Sequence, residues 1–263
     1  KDTKSGEYIT LTGNMSGCLL ADYEISQKKE TKGLPADGKL IKTIVTSNLA
    51  DAIAEYYGVG LIEVLTGFKY IGQQILGFET TGKGEYLFGF EESYGCLIGT
   101  HARDKDAIVA TMALCEAAAY YKTKNMTLWD AMLAMYERYG YYKDGVKAVT
   151  MKGIEGLEKI QEIMNELRTN PPKEFCGYKV ESFRDYQADT ITDIASGEVK
   201  PTGLPKSNVL YFDMSDKVWM CVRPSGTEPK IKFYLGVVGE SLEDADKKSE
   251  EMAKAVDALV ASL

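Results

Sequence analysis

Leu40-Ile41-Lys42-Thr43-Ile44-Val45 is an apolar run of strand length. It is followed by Asn48–Tyr57, which has helical spacing and Ser47 or Asn48 as a ready cap, and then by a second apolar run, Gly60-Leu61-Ile62-Glu63-Val64-Leu65. Strand, helix and strand in this order predict parallel pairing with a crossover helix. The pattern continues in both directions. Upstream, Leu19, Leu20 and Tyr23 suggest one face of a helix over 17–28, and Tyr8-Ile9-Thr10-Leu11 reads as a short strand. Downstream come a short helix over 70–76, a strand at Tyr86–Phe90, and helices over 106–122 and 128–138. This first part is expected to be an α/β layer with a mainly parallel sheet.

After Gly140 the order changes. Val146–Met151 reads as a strand and Ile154–Leu167 as a helix, ended by Asn170-Pro171-Pro172. Strands are expected at 178–183, 209–212, 218–222 and 231–238, with 187–207 a loop excursion and Leu242–Leu263 a closing amphipathic helix. A strand–helix–strands–helix order predicts an α+β unit with helices on one face of an antiparallel sheet. The expected division is residues 1–11, 12–140 and 141–263.

Composition narrows the function. The 263 residues are 44% hydrophobic and carry 39 acidic and 31 basic side chains, a formal charge of -8. That excludes a broad basic footprint for nucleic acid, and no apolar run is long enough for a membrane helix. Five scattered cysteines without a CxxC pair argue against a disulfide framework or structural zinc and for a reducing, cytoplasmic setting. The chain begins at Lys1 and reads as a piece of a longer protein.

Four loops can carry chemistry. Arg223-Pro224-Ser225-Gly226-Thr227-Glu228-Pro229 lies between two strong strands. It can aim a guanidinium, hydroxyls and backbone N–H groups at one phosphate, or it is an ordinary turn. Gly89-Phe90-Glu91-Glu92-Ser93-Tyr94-Gly95 follows a strand, where α/β sheets bind ligands. Its carboxylates can accept from vicinal sugar hydroxyls, or it is a solvated acidic loop. His101-Ala102-Arg103-Asp104-Lys105-Asp106 opens the long helix, with Asp104 or Asp106 as cap. Cations here oppose the helix dipole, which suggests an anionic ligand or an exposed turn, and a lysine crowded by cations can transfer protons. Leu65-Thr66-Gly67-Phe68-Lys69 sets a lysine at another helix start, as an anion site or a plain turn. Gly77 to Lys83 has the spacing of a P-loop but is rejected, because Gly84 replaces the required hydroxyl and a strand follows. The Met132/Met135 and Tyr136/Tyr139 spacing reads as core packing rather than a cofactor box.

Thr-Gly-Phe-Lys, Gly-Phe-Glu-Glu-Ser-Tyr-Gly, Arg-Asp-Lys-Asp and Arg-Pro-Ser-Gly-Thr-Glu-Pro, in this order, resemble the phosphohexomutases, and the phosphoglucomutase branch more than the phosphomannomutase branch. The resemblance implies the third and fourth domains of a four-domain enzyme, with residues 1–11 as the tail of the second. It implies sugar contacts from Glu91, Glu92 and Ser93, with Thr66, Gly67, Lys69 and Arg103 beside them. It implies phosphate contacts from Arg223, Ser225, Gly226 and Thr227, and Lys105 as the candidate acid/base. It also implies that the phosphoserine nucleophile and the Mg2+ loop, Asp-x-Asp-x-Asp-Arg, lie on missing N-terminal domains, so that this chain alone is inactive. A sugar bisphosphate would then be intermediate and activator. Phosphomannomutase, phosphopentomutase and a non-catalytic phosphosugar-binding module are the alternatives.

Overall fold

The computed structural model describes residues 1–151, 153–226 and 228–262. The chain divides into two compact units, Lys1–Gly140 and Tyr141–Leu263.

In the first unit, α1 (Gly13–Thr31) precedes β1 (Gly38–Thr43), α2 (Leu49–Tyr57), β2 (Gly60–Val64), α3 (Phe68–Thr81), β3 (Glu85–Phe90), β4 (Cys96–Leu97), α4 (Ala107–Thr123) and α5 (Leu128–Tyr139). The sheet order is β2-β1-β3-β4; the first three strands are parallel and β4 is antiparallel to β3. One face of the sheet packs on α3, through Ile41, Val64, Phe68, Ile71 and Ile75. On α1, the residues Cys18 through Ala21 are all buried, because this helix meets β3, α2, α4 and α5 at once. A helix enclosed on several sides needs no single apolar stripe, so the one-face reading of α1 was too narrow. Met132, Met135 and Tyr136 of α5 are core, as expected, whereas Tyr139 is only partly buried and its hydroxyl donates to Asp22.

The ladder between β1 and β3 slips after Lys39↔Tyr86, so that Leu40 pairs with Phe88 and Leu87 is the extra residue. The slip turns Tyr86 towards α3, where its hydroxyl donates to the Leu97 carbonyl at 2.7 Å. Lys42 interrupts the apolar run of β1 yet is 0% exposed. Its ammonium donates to Asn48 Oδ1 at 2.6 Å and pairs with Asp51 and, at 3.6 Å, with Glu63. A buried charge persists only when paired in this way. Asn48 is thereby diverted from capping α2, and Ser47 Oγ accepts from the Leu49 amide instead, at 3.2 Å.

In the second unit, β5 (Tyr141–Thr150), α6 (Gly153–Thr169), β6 (Glu174–Phe175), β7 (Tyr178–Asp185), β8 (Thr190–Asp193), β9 (Val199–Lys200), β10 (Leu210–Met214), β11 (Trp219–Pro224), β12 (Lys230–Gly239) and α7 (Leu242–Ser262) follow in order. The antiparallel sheet runs β5-β12-β11-β10-β7-β8-β9, with β6 on β7. Ile160, Ile163 and Leu167 of α6 and Met252 and Val256 of α7 share one core with Phe212, Met220 and Phe233 of the sheet. This is the expected α+β arrangement.

Three expectations fail. Tyr8–Leu11 forms no strand; Tyr8 is 85% exposed. The short helix at 70–76 spans Phe68–Thr81 and ends on Gly82 in the left-handed region, φ 65°. The supposed excursion over 187–207 contains β8 and β9, whose turn is held by Asp193 Oδ1 accepting from the Ser196 amide at 2.7 Å.

Gly236 lies opposite Trp219, which stacks on Tyr211 with centroids 5.4 Å apart. A β-carbon at Gly236 would lie 1.9 Å from the indole nitrogen. Gly236→Ala is expected to destabilise the second unit by about 1–3 kcal/mol in urea denaturation; an unchanged midpoint would contradict this packing.

Candidate functional site

Loops that leave the carboxyl ends of β2 and β3 are clasped together. Glu91 is only 8% exposed, and its Oε1 accepts from the Gly67 amide at 3.1 Å. Gly67 caps α3 at φ 119°, a conformation open to glycine and costly for other residues. The bond therefore satisfies a helix-start N–H and a buried carboxylate at once. The β3–β4 turn is closed by the Glu91 amide donating to the Gly95 carbonyl at 2.7 Å, with Tyr94 at φ 68°. From outside, the Tyr94 hydroxyl donates to the Leu11 carbonyl at 3.2 Å. From beneath, α1 presses so closely that a β-carbon at Gly13 would lie 2.0 Å from the Glu92 carbonyl oxygen. The turn is thus fixed on both sides, and it leaves Ser93 exposed and Glu92 partly buried.

Lys105 approaches the same turn. A β-carbon at Gly95 would lie 2.9 Å from both Glu91 Oε2 and Lys105 Cδ, so glycine is needed where these two side chains meet. The Lys105 ammonium reaches Asp104 at 3.0 Å and stays half exposed. Arg103 is used differently from the expectation. It donates to the Thr100 and Ala102 carbonyls at 2.7 and 3.1 Å and pairs with Glu79 of α3, which braces the loop. Arg103 and Lys105 at this helix start are thus each matched by a carboxylate. Asp106 rather than Asp104 caps α4. Its Oδ1 accepts from the Ile108 and Val109 amides at 2.9 and 3.1 Å, and Oδ2 meets His101 Nε2 at 3.0 Å. The His101 contact, with the backbone donors, holds the Asp106 carboxyl below its ordinary range. Thr66 and Gly67 are partly buried, and Lys69 is exposed with its ammonium 4.8 Å from the Tyr70 ring centre. Glu91, Tyr94 and Gly95 also line a cleft of 180 Å³ between α1 and α4.

The second unit carries the other loop. The Ser225 amide donates to the Lys230 carbonyl at 2.7 Å, which closes the β11–β12 hairpin. Glu228 and Lys230 pair at 3.2 Å, and the Met151 amide donates to the Pro229 carbonyl at 3.0 Å. Arg223 lies opposite Lys232 in the ladder. Together with Pro224 and Ser225 they line a 30 Å³ notch, room for a group the size of one phosphate oxygen. Gly226 is exposed, with open space around it. Thr227 lies outside the described residues. Lys232 was missed in the sequence. The signal was present: Lys230, Ile231, Lys232 and Phe233 alternate, and counting back through the hairpin sets Lys232 across from Arg223.

Residues 12–139 match the family described as phosphoglucomutase/phosphomannomutase, alpha/beta/alpha domain III. Those residues are a domain III of the phosphoglucomutase/phosphomannomutase family. The chain is 36% identical over 249 residues to a phosphoglucomutase of Staphylococcus epidermidis, covering 91% of this chain and 44% of the relative. To a phosphoglucomutase of Staphylococcus aureus it is 35% identical over 247 residues, covering 94% and 44%. The fold resembles the open form of parafusin, a phosphoglucomutase from Paramecium, with TM-score 0.63 at 19% identity over 96% of this chain and 41% of that one. The chain thus spans less than half the length of the curated relatives it matches.

Two measurements check the first unit. Glu91→Ala is expected to raise hydrogen exchange at the Gly67 amide about tenfold or more, the equivalent of a lost hydrogen bond to a charged acceptor; unchanged exchange would contradict the clasp. A carboxylate with a lowered folded value keeps its cap above the unfolded value and loses it as pH falls through the folded one. The Ile108 and Val109 amide shifts are therefore expected to titrate below the ordinary aspartate value, and His101→Ala to move that midpoint upward. A wild-type midpoint at or above the ordinary value would refute the cap geometry.

Proposed function

We propose that this chain supplies the sugar- and phosphate-recognition part of a phosphoglucomutase that interconverts glucose 1-phosphate and glucose 6-phosphate. The observation that carries the reading is the Glu91–Gly67 clasp, which presents Glu92 and Ser93 at the carboxyl edge of a parallel sheet in a domain of this family. Carboxylates there accept from vicinal hydroxyls, and Ser93 adds a donor. Thr66, Gly67 and Lys69 sit beside them, and Arg103 acts by bracing the loop. Arg223, Ser225 and Gly226, with Lys232, take the phosphate through charge and backbone donors. Such contacts tolerate a sugar bisphosphate presented from either end, which a mutase requires. Thr227 and the acid/base role of Lys105 enter from the family resemblance, and the meeting of Lys105 with Glu91 at Gly95 supports the latter.

Phosphoryl transfer itself would need groups from elsewhere in the longer enzyme. Among the described residues no three His, Cys, Asp or Glu side chains gather as a metal site. Magnesium and the phosphoserine belong, in this reading, to the missing domains, and the chain alone turns over no substrate. Among the described residues no helix is long and apolar enough to cross a membrane. The scattered cysteines without a CxxC pair are what favour our placing the enzyme in the reducing cytoplasm.

The test uses the protein extended to the length of its relatives, with Mg2+ and a sugar bisphosphate primer. Glucose 1-phosphate is expected to turn over faster than mannose 1-phosphate or ribose 1-phosphate. A preference for mannose or ribose would move the substrate within the family; no turnover by folded protein would leave a binding module. For the chain itself, Arg223→Ala with Ser225→Ala is expected to weaken glucose 6-phosphate binding about tenfold or more, and equal binding would remove the phosphate assignment.

A further inference from the structure

A second cleft, of 470 Å³, opens in the first unit among the carboxyl-terminal parts of α1, α2, α4 and α5. It lies at the far end of the fold from the Glu91 turn. The last turn of α2 leads into the start of β2, and α1 leads into the start of β1, so both helices end at the amino edge of the parallel strands. The Glu91 and Gly67 loops leave the carboxyl edge. Neither the sugar loop nor the phosphate hairpin contributes to this cleft.

Ser26, Glu30 and Arg138 line this cleft, and three further parts give it its character. The first is aromatic: Tyr56, Tyr57, Tyr120 and Tyr121. The second is cationic. Lys29 lies 5.5 Å from the Tyr57 ring centre, and Lys124 donates to the Tyr120 hydroxyl and lies 4.2 Å from that ring's centre. Among the described residues neither lysine forms an ion pair, which sets them apart from Lys105 and Arg103. Neither a tyrosine ring nor a phenol hydroxyl neutralises an ammonium, so both charges can still meet an anion. The third is a buried acceptor. Asp22 is 4% exposed, and Oδ1 accepts from the Tyr57 hydroxyl at 3.0 Å and from that of Tyr139 at 2.5 Å, with Arg138 at 3.9 Å. Burial, then the Asp22 charge, pushes the Tyr57 phenol up to about 12, so it stays a donor. Among the described residues Oδ2 of Asp22 accepts no hydrogen bond, although the residue is buried and lines the cleft.

A ligand that satisfies all three parts is flat, carries an N–H donor, and ends in an anion. We propose that this cleft binds a purine nucleotide, with its base against the tyrosines and donating to Asp22, and its phosphate between Lys29 and Lys124. The volume lies in the range of small-ligand sites, about 300–1,000 Å³, and stacking of a base on an aromatic side chain is a recurrent source of affinity. The proposal stands apart from the mutase reading, because it uses no residue of the sugar or phosphate loops.

Calorimetric titration of the chain with AMP and GMP tests it, against adenosine, guanosine, ribose 5-phosphate and inorganic phosphate. At least one nucleotide is expected to bind tenfold or more tightly than both its nucleoside and ribose 5-phosphate. Lys29→Glu with Lys124→Glu, both at exposed positions, is expected to reduce the nucleotide to the affinity of its nucleoside. Asp22→Asn is expected to remove the advantage over ribose 5-phosphate. Arg223→Ala with Ser225→Ala is expected to leave nucleotide binding unchanged. Equal binding of ribose 5-phosphate or phosphate would overturn the proposal, as would the absence of nucleotide binding, its loss in the Arg223/Ser225 variant, or its survival in the Lys29/Lys124 variant.

Discussion

One hydrogen bond organises the ligand edge of the first unit. Glu91 is buried at the end of β3 and must be paired; the Gly67 amide is an unmatched donor at the start of α3. Each group meets the other's requirement, and joining them fixes two loops whose strands, β2 and β3, are separated in the sheet by β1. Glycines are demanded around that bond for separate reasons: Gly67 by its backbone angle, Gly95 by the meeting of Glu91 with Lys105, and Gly13 by the close approach of α1. With Glu91 turned inward, Ser93 is left at the surface with Glu92 beside it.

The second unit solves a different problem by register. In the β11–β12 hairpin, Pro224 pairs with Ile231 and Arg223 with Lys232, so a cation from each strand flanks Ser225. Two like charges facing across a ladder are unfavourable unless an anion joins them. That is the physical case for a phosphate at this hairpin. The opposite charges that hold the rest of the loop, Glu228 and Lys230, are spent on each other.

Much of this was legible in the residues. The apolar runs of β1, β2 and β3 and the periodicity of α5 marked the α/β unit, and the strand runs after Gly140 marked the antiparallel one. What escaped depends on pairings that local composition does not reveal. Lys42 breaks an apolar run but is paid for by Asn48, Asp51 and Glu63. Strands β8 and β9 are short and sit among Gly, Ser, Pro and Asp, so local composition hid a hairpin that the neighbouring β7 stabilises. The loops of the candidate site stood out by motif. Their clasp did not, because a carboxylate and an amide 24 residues apart carry no local signature. Arg103 looked like a ligand cation, and only the approach of Glu79 from α3 shows it as a brace.

The most direct measurement is an amide-resolved NMR titration of this chain with glucose 1-phosphate and, separately, with inorganic phosphate. The account predicts that the sugar phosphate moves the Gly67, Glu91 and Ser93 amides as well as that of Ser225, while inorganic phosphate moves Ser225 alone among these four. Sugar phosphate that shifts Ser225 and leaves the Glu91 turn untouched, or that shifts neither loop, would contradict it.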